Sequence, residues 1–413
     1  MNIMIIQFIL ILSLLGYQSA GSFGNASGII NVNSEVSNGI YPIEKIADLA
    51  QKRGIKVVIF TDHFLERFEY GIPPFRKLIK KSIRMKCIRS YGIKRYLQEI
   101  EEASVSFPDM VLIPGCKVRS LYYWTGSPLE NLTLHNTQKK FLVLGLSADA
   151  LKKLPVIGNR RLGYDQYHGD VGYDPYQDVI NYTIDNGGLI FWALPGAEAE
   201  EKIGRVTVSM PSYPEGLLET YNYTGFGILY EGMKTIGIPG GIWDKILMEY
   251  VDGKREKPVW AIGEIDYHHE REAGGKRIED VQTVFLLENL DRSSVIDALR
   301  NGKIYALRRT KDSFLSLDEF SIDGAFMGDE VTLSDAPVLK IKISASSSDS
   351  QRVVVKIIRC GKVIKMLDLV APSDIRFKDE YFKKGKMSYY RLEIRGERSN
   401  LIITNPIFVR YGG

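Results

Sequence analysis

Three short stretches carry side chains that could do chemistry: Asn31-x-Asn33, Thr61-Asp62-His63 and Asp266-x-His268. On an extended strand, residues two apart face the same side. Asp266 and His268 can therefore address one pocket, and so can Asn31 and Asn33. Carboxylate and imidazole together suit a zinc- or manganese-like ion. Asp62 and His63 could equally close a strand and cap the segment after it.

Each stretch needs an element to place it. Around Thr61-Asp62-His63 the order is helix, glycine, buried strand. Ile43, Ile46, Ala47, Leu49 and Ala50 recur at helical spacing, with Pro42 suited to a first turn and Gly54 to a stop. Ile55 to Phe60 is apolar apart from Lys56, as in a strand covered on both faces. Asn31 and Asn33 lie where a short strand (29–39) runs into a polar turn. Val259 to Ile265 reads as the strand that delivers Asp266 and His268. Further buried strands are expected at 109–116, 139–146 and 189–194, with other strands at 216–222 and 281–287. Helices are expected at 174–186, 243–251 and 293–301, the last with a serine cap and a stop at Gly302. Residues 64–107 are rich in Arg and Lys and read as two amphipathic helices broken at Pro73-Pro74. Their basic density could serve anionic ligands or be a solvated face. Residues 160–178 form a Tyr/Asp/Gly loop suited to a lid or binding loop, or equally to a surface excursion, and LTLHNTQ, with His135, reads as another loop.

The alternation of buried strands and helices argues for an α/β barrel or layered sheet. Near residue 315 the texture changes to short alternating strands. Residues 315–413 are expected to form a small antiparallel β-sandwich, including two strands joined at Cys360-Gly361.

The chain has 413 residues, with 45% hydrophobic and 25% charged residues, ordinary values for a globular protein. A net charge of +4 is too small for this length to argue for nucleic acid or an anionic membrane surface. Residues 1–21 hold an apolar core followed by small residues, which reads as a secretory signal, although its n-region lacks Lys and Arg. Export to a periplasmic or extracellular space is expected, with no stable membrane span after processing. The alternative is an N-terminal anchor.

IEKIADLAQKRGIKVVIFTDH, the Asp266-x-His268 pair and the closing SSVIDALRNGKIYA resemble the PHP (polymerase and histidinol phosphatase) family over about residues 28–310. The resemblance implies a distorted (β/α)7 barrel, here at 24–312, that binds up to three metal ions and hydrolyses phosphate esters. It also implies that most ligands have been replaced. The family's His-x-His is Asn31 and Asn33, its Ser-Asp-Gly carboxylate is Asn38, and its bridging Glu is Lys117. Its His-Pro-Gly is Leu194-Pro195-Gly196, and a further histidine is Lys140. His63, Asp266 and His268 survive, with Asp62 beside them.

Amides are poor partners for ions that prefer imidazole, and a bridged metal cluster needs several anions. Two readings follow. In the first, the chain is a pseudoenzyme that binds an anionic small molecule or partner, with Lys117 paired to Asp266 or Asp62 and no metal. In the second, it is a phosphoesterase with one divalent ion, zinc or manganese, on His63, Asp266 and His268. Lys117 and Asp62 would then be its catalytic groups.

Overall fold

The fold is described from a computed structural model over residues 24–65, 67–159, 162–229, 235–270, 276–310, 314–346, 350–382 and 385–412. The segment expected to direct export lies outside the described residues, as do Arg160 and Arg161 of the Tyr/Asp/Gly loop.

The architecture is mixed α/β, built on a curled sheet. β1 (Gly24–Val32) pairs in parallel with β2 (Val57–Phe60), and α1 (Ile43–Lys52) crosses between them. Helix α1 buries Ile43, Ile46, Ala47 and Ala50, one face at helical spacing. Strand β2 is buried at every residue, as its unbroken apolar run requires.

The next segment corrects the expectation of two long helices. Its first half is a hairpin, β3 (Arg67–Gly71) with β4 (Lys80–Arg84). Only its second half is helical, as α2 (Ile88–Tyr91) and α3 (Ile93–Ser106). Across Phe68-Glu69-Tyr70 and Ile83-Arg84-Met85, aromatic or aliphatic residues alternate with polar ones, a strand period rather than a helical one. Strand β5 (Val111–Arg119) then joins β2 in parallel.

A second hairpin, β6 (Tyr123–Ser127) and β7 (Glu130–His135), follows β5, so His135 ends a strand rather than lying in a loop. The chain spends this connection on a hairpin instead of a crossover helix. Consequently β8 (Lys140–Leu144) runs antiparallel to β5, and the sheet is not wholly parallel. After α4 (Ala148–Leu151) and α5 (Asp174–Asp185), β9 (Leu189–Ala193) runs antiparallel to β8. Strands β10 (Ala199–Ile203) and β11 (Val206–Met210) extend the β6–β7 hairpin into a four-stranded sheet. Residues 216–222, expected as a strand, begin instead with a helical turn, α6 (Gly216–Glu219). Leu217, Leu218 and Glu219 favour helix, and the strand comes later as β12 (Gly225–Gly227).

Helix α7 (Ile242–Val251) leads to β13 (Trp260–Ile262) and β14 (Glu264–Tyr267), the expected strand split at Gly263. β13 pairs with β12, while β14 pairs with β1. The order β13-β12-β9-β8-β5-β2-β1 thus curls back upon itself through Gly263.

β15 (Val281–Leu287), α8 (Arg292–Asn301) and β16 (Ile304–Arg308) complete this part. The cap of α8 is Asp291, not the serine, and it accepts from the Ser294 amide at 2.8 Å. Strands β15 and β16 serve two cores. Phe285, Leu287 and Ile304 face one, and Val284, Leu286, Tyr305 and Leu307 face the other.

The second core fills the space between these strands and the C-terminal ones. Those are β17 (Leu315–Ile322), β18 (Glu330–Leu333), β19 (Val338–Ala345), β20 (Gln351–Arg359), β21 (Lys362–Ala371), β22 (Ser373–Lys378), β23 (Ser388–Arg395), β24 (Leu401–Thr404) and β25 (Ile407–Tyr411). β17, β19 and β22 form a separate three-stranded sheet. Cys360 and Gly361 both take positive φ (47° and 76°), which makes the tight β20–β21 turn. Among the described residues no helix is long and apolar enough to cross a membrane.

Candidate functional site

β1, β2 and β14 are parallel neighbours, so their C-terminal ends gather together. Asn31 sits at a register break and takes φ +70°, a left-handed conformation that asparagine tolerates. Its Nδ2 donates to Glu264 Oε2 at 2.9 Å, and its Oδ1 accepts from Thr61 Oγ1 at 3.3 Å. Asn33 Nδ2 donates to the Tyr267 carbonyl at 3.1 Å. The two amides therefore face different partners rather than one pocket, because the break interrupts strand alternation between them.

Asp62 is fully buried. It accepts from the Ser34 amide (2.8 Å), Ser34 Oγ (2.8 Å) and Ser37 Oγ (2.6 Å). Burial raises this carboxyl, while the Ser37 and Ser34 donors and the Lys117 charge pull against that rise. With three donors already on it, Asp62 has the geometry of a group that positions the 34–37 turn.

Lys117 lies within β5, and its backbone bridges that of His63. Its side chain is only 5% exposed. The ammonium donates to Asp266 Oδ1 at 2.7 Å and to Asn33 Oδ1 at 3.3 Å. His268 Nε2 stands 3.4 Å from the same Asp266 oxygen. Burial works against the Asp266 carboxylate, but the Lys117 ammonium and His268 outweigh it and hold the group well below its ordinary value.

Glu264 is the residue that sequence reasoning missed. It lies two positions before Asp266, so the alternation that pairs Asp266 with His268, run backwards, would have found it. It is fully buried, and besides Asn31 it accepts from the Leu194 amide. Leu194 holds φ +47° to present that amide. A Cβ at Gly227 would fall 1.7 Å from Glu264 Oε1, so glycine alone leaves the carboxyl its place.

Burial, with a smaller contribution from Asp266, raises the Glu264 carboxyl from 4.5 to about 7, against the Leu194 and Asn31 donors and Lys117. Between these two values the unfolded chain has released its proton and the folded one has not. Stability therefore falls as pH rises through that window, by up to about 3 kcal/mol. Glu264→Gln is expected to flatten this slope and to raise the urea midpoint at pH above the window, which denaturation at several pH values would read.

Two cavities flank the cluster. One, of about 220 Å³, is lined by Asp266, His268, His269 and Lys276. His269 lines it beside His268, because β14 ends at Tyr267 and strand alternation no longer applies. The other, of about 450 Å³, is lined by Ser37, Asn38, His63, Phe68, Met85, Lys86, Arg119 and Lys140. Arg119 is held by the Thr137 carbonyl at 2.8 Å and lies 4.6 Å from the Phe68 ring centroid. Lys140 opens β8, and the reversed direction of that strand brings it to this end of the sheet, paired with Arg119.

The three residues expected to hold one metal are thus divided. Asp266 and His268 share one cavity and His63 lines the other. Among the described residues no group of three or more His, Cys, Asp or Glu side chains is placed to hold a metal ion. The donor set also carries its own cation, since the Lys117 ammonium sits on the Asp266 oxygen that His268 approaches. As placed, these residues do not fit a divalent ion.

Cys87, Cys116 and Cys360 are free thiols. Burial pushes the Cys116 thiol far up, in keeping with a small apolar role. His135 stacks on Tyr123 (centroids 4.7 Å apart) and contacts Thr125 Oγ1 at 2.8 Å, and His168 lies edge-on to the same tyrosine.

No family model matches the sequence, and no curated protein does either. Among solved structures, the chain is similar to a two-domain protein of Bacteroides vulgatus containing a predicted PHP-like metal-dependent phosphoesterase. The identity is 12%, with 90% of this chain and 91% of that one covered and a TM-score of 0.40. It is similar over 23% of its length to fibronectin(III)-like modules from Clostridium thermocellum, which are covered completely, at 21% identity and a TM-score of 0.17. An engineered protein is similar at 15% identity, with 24% of this chain and 20% of that one covered and a TM-score of 0.17.

Proposed function

We propose that this protein binds an anionic small molecule, with a phosphate or phosphate ester the chemistry its pocket suits, and that it does not hydrolyse it efficiently. The observation that carries this reading is the cavity holding His63. Its lining brings Lys86, Arg119 and Lys140 together with the Ser37 hydroxyl and the Asn38 amide, and among the described residues it includes no carboxylate. Guanidinium and ammonium groups are the usual partners of phosphate oxygens. The Lys117–Asp266 pair supports the same reading, because the carboxylate that would attract a metal is already neutralised.

On this reading the curled sheet is a PHP-like barrel of seven strands spanning 24–312. The C-terminal strands form a sandwich at 315–413, the protein is exported, and its hydrolytic donors have been lost. The second reading, a phosphoesterase using one metal on His63, Asp266 and His268, draws on the closeness of His268 to Asp266.

Calorimetric titration of the purified protein with inorganic phosphate, and with a phosphate monoester, tests the proposal. Saturable binding is expected, weakened about tenfold or more in Lys140→Glu, the loss of a charge-assisted contact. Absence of binding to either anion overturns the proposal. Monoester turnover in zinc or manganese, lost in His268→Ala, establishes the second reading instead.

A further inference from the structure

Between Tyr70 and Gln98 stand nine Lys or Arg residues and no Asp or Glu, although the whole chain carries only +4. The density peaks on the β3–β4 hairpin. Every residue from 72 to 86 is exposed. Six of them are basic: Arg76, Lys77, Lys80, Lys81, Arg84 and Lys86. Among them stand large apolar side chains that a water-facing loop does not need: Ile72 (47% exposed), Phe75 (56%), Leu78 (82%) and Ile79 (53%), all at the tip.

Packing accounts for β3, whose Phe68 and Tyr70 lie against Tyr122 and Trp124, but not for the exposed apolar side chains of the tip. Arg67 stands directly across from Arg84, an unfavourable like-charge pair. Among the described residues Glu69 is a nearby acid, and it is shared by Arg67 and by Lys80 at 3.1 Å. An apolar tip ringed by cations matches the interface of an anionic bilayer. Aliphatic side chains enter the acyl boundary there, while ammonium and guanidinium groups stay at the phosphates. Nucleic acid would use the cations but gain nothing from Ile72, Leu78 and Ile79.

We propose that the β3–β4 hairpin docks this protein onto the surface of an anionic phospholipid membrane. The proposal stands apart from the pocket reading, since the tip residues do not line the pocket. Its position adds consequence, because Met85 and Lys86 at the base of the same hairpin do line it, and docking would set the pocket against the headgroups.

Co-sedimentation of the full chain with phosphatidylcholine vesicles, with and without phosphatidylglycerol, provides the test. Binding is expected to need phosphatidylglycerol and to weaken with salt. It is expected to fall about tenfold or more in Lys77→Glu/Lys81→Glu, and likewise in Phe75→Ser/Leu78→Ser. These side chains are exposed, so phosphate binding should persist in both variants. Because the variants keep residues 1–23, any difference from the parent belongs to the hairpin. A tryptophan introduced by Leu78→Trp should be quenched by brominated lipid beyond the quenching of the parent. Equal sedimentation of parent and variants overturns the proposal, as does indifference to phosphatidylglycerol or binding of duplex DNA in place of vesicles.

Discussion

Arg391→Met is expected to destabilise the protein by about 3–5 kcal/mol, the cost of leaving a buried carboxylate without its partner. Arg391 is wholly buried and Asp244 is 1% exposed. The guanidinium donates from Nε to Oδ1 at 2.7 Å and from Nη2 to Oδ2 at 2.6 Å. The Gly240 amide (2.7 Å) and the Tyr389 hydroxyl (2.8 Å) complete the carboxylate's shell. This pair ties α7, on the curled sheet, to β23 among the C-terminal strands. Arg391→Lys should recover little, because an ammonium cannot make the two parallel bonds or lie against Trp243, whose ring centroid is 4.9 Å from the guanidinium carbon. In Asp244→Leu/Arg391→Met, which removes both charges, much of the loss should return. Urea denaturation of the three variants checks this. A parent-like midpoint in Arg391→Met would show that the pair holds nothing together.

Asp266→Asn should cost about 3 kcal/mol by the same mechanism at the site itself, since it leaves the Lys117 ammonium buried without a counter-ion. The sign with pH is opposite to that of Glu264. The depressed Asp266 carboxyl contributes stability above its ordinary 3.8, and that contribution is lost as pH falls through its folded value. The variant should therefore be weaker than the parent near neutrality and lose less of its stability in acid. Thermal unfolding across the acid range, followed by circular dichroism, reads both effects. If the variant matches the parent at neutral pH, the ion pair does not close the site.

Much of the fold could be read locally. α1, β2, α5, β9, β15, α8 and β19 follow from periodicity and punctuation, because a buried face repeats with the geometry of its own element. The failures have local causes too. The β3–β4 and β6–β7 hairpins carry a two-residue period through polar residues, which looks like loop or solvated helix when scanned for apolar faces. Residues 216–222 suggest a strand by their apolar start, whereas Leu217, Leu218 and Glu219 lean to helix.

The site divides in the same way. His63, Asp266 and His268 were legible because strand ends and spacing mark them, and Lys117 through the family resemblance. Their pairing was legible only as a choice, with Lys117 meeting either Asp266 or Asp62. Lys117 and Asp266 are 149 residues apart, and Asp244 and Arg391 are 147 apart. Which cation meets which carboxylate depends on sheet order and register, and neither is written in a local pattern. The reversal of β8, which brings Lys140 beside Arg119, and the return of β14 to β1, which buries Glu264 against Asn31 and Gly227, were likewise settled by tertiary structure. The sequence by itself determined which residues could bear charge at the strand ends. Packing decided which charges are neutralised and which line a cavity, because electrostatic energy depends on distances in space rather than along the chain.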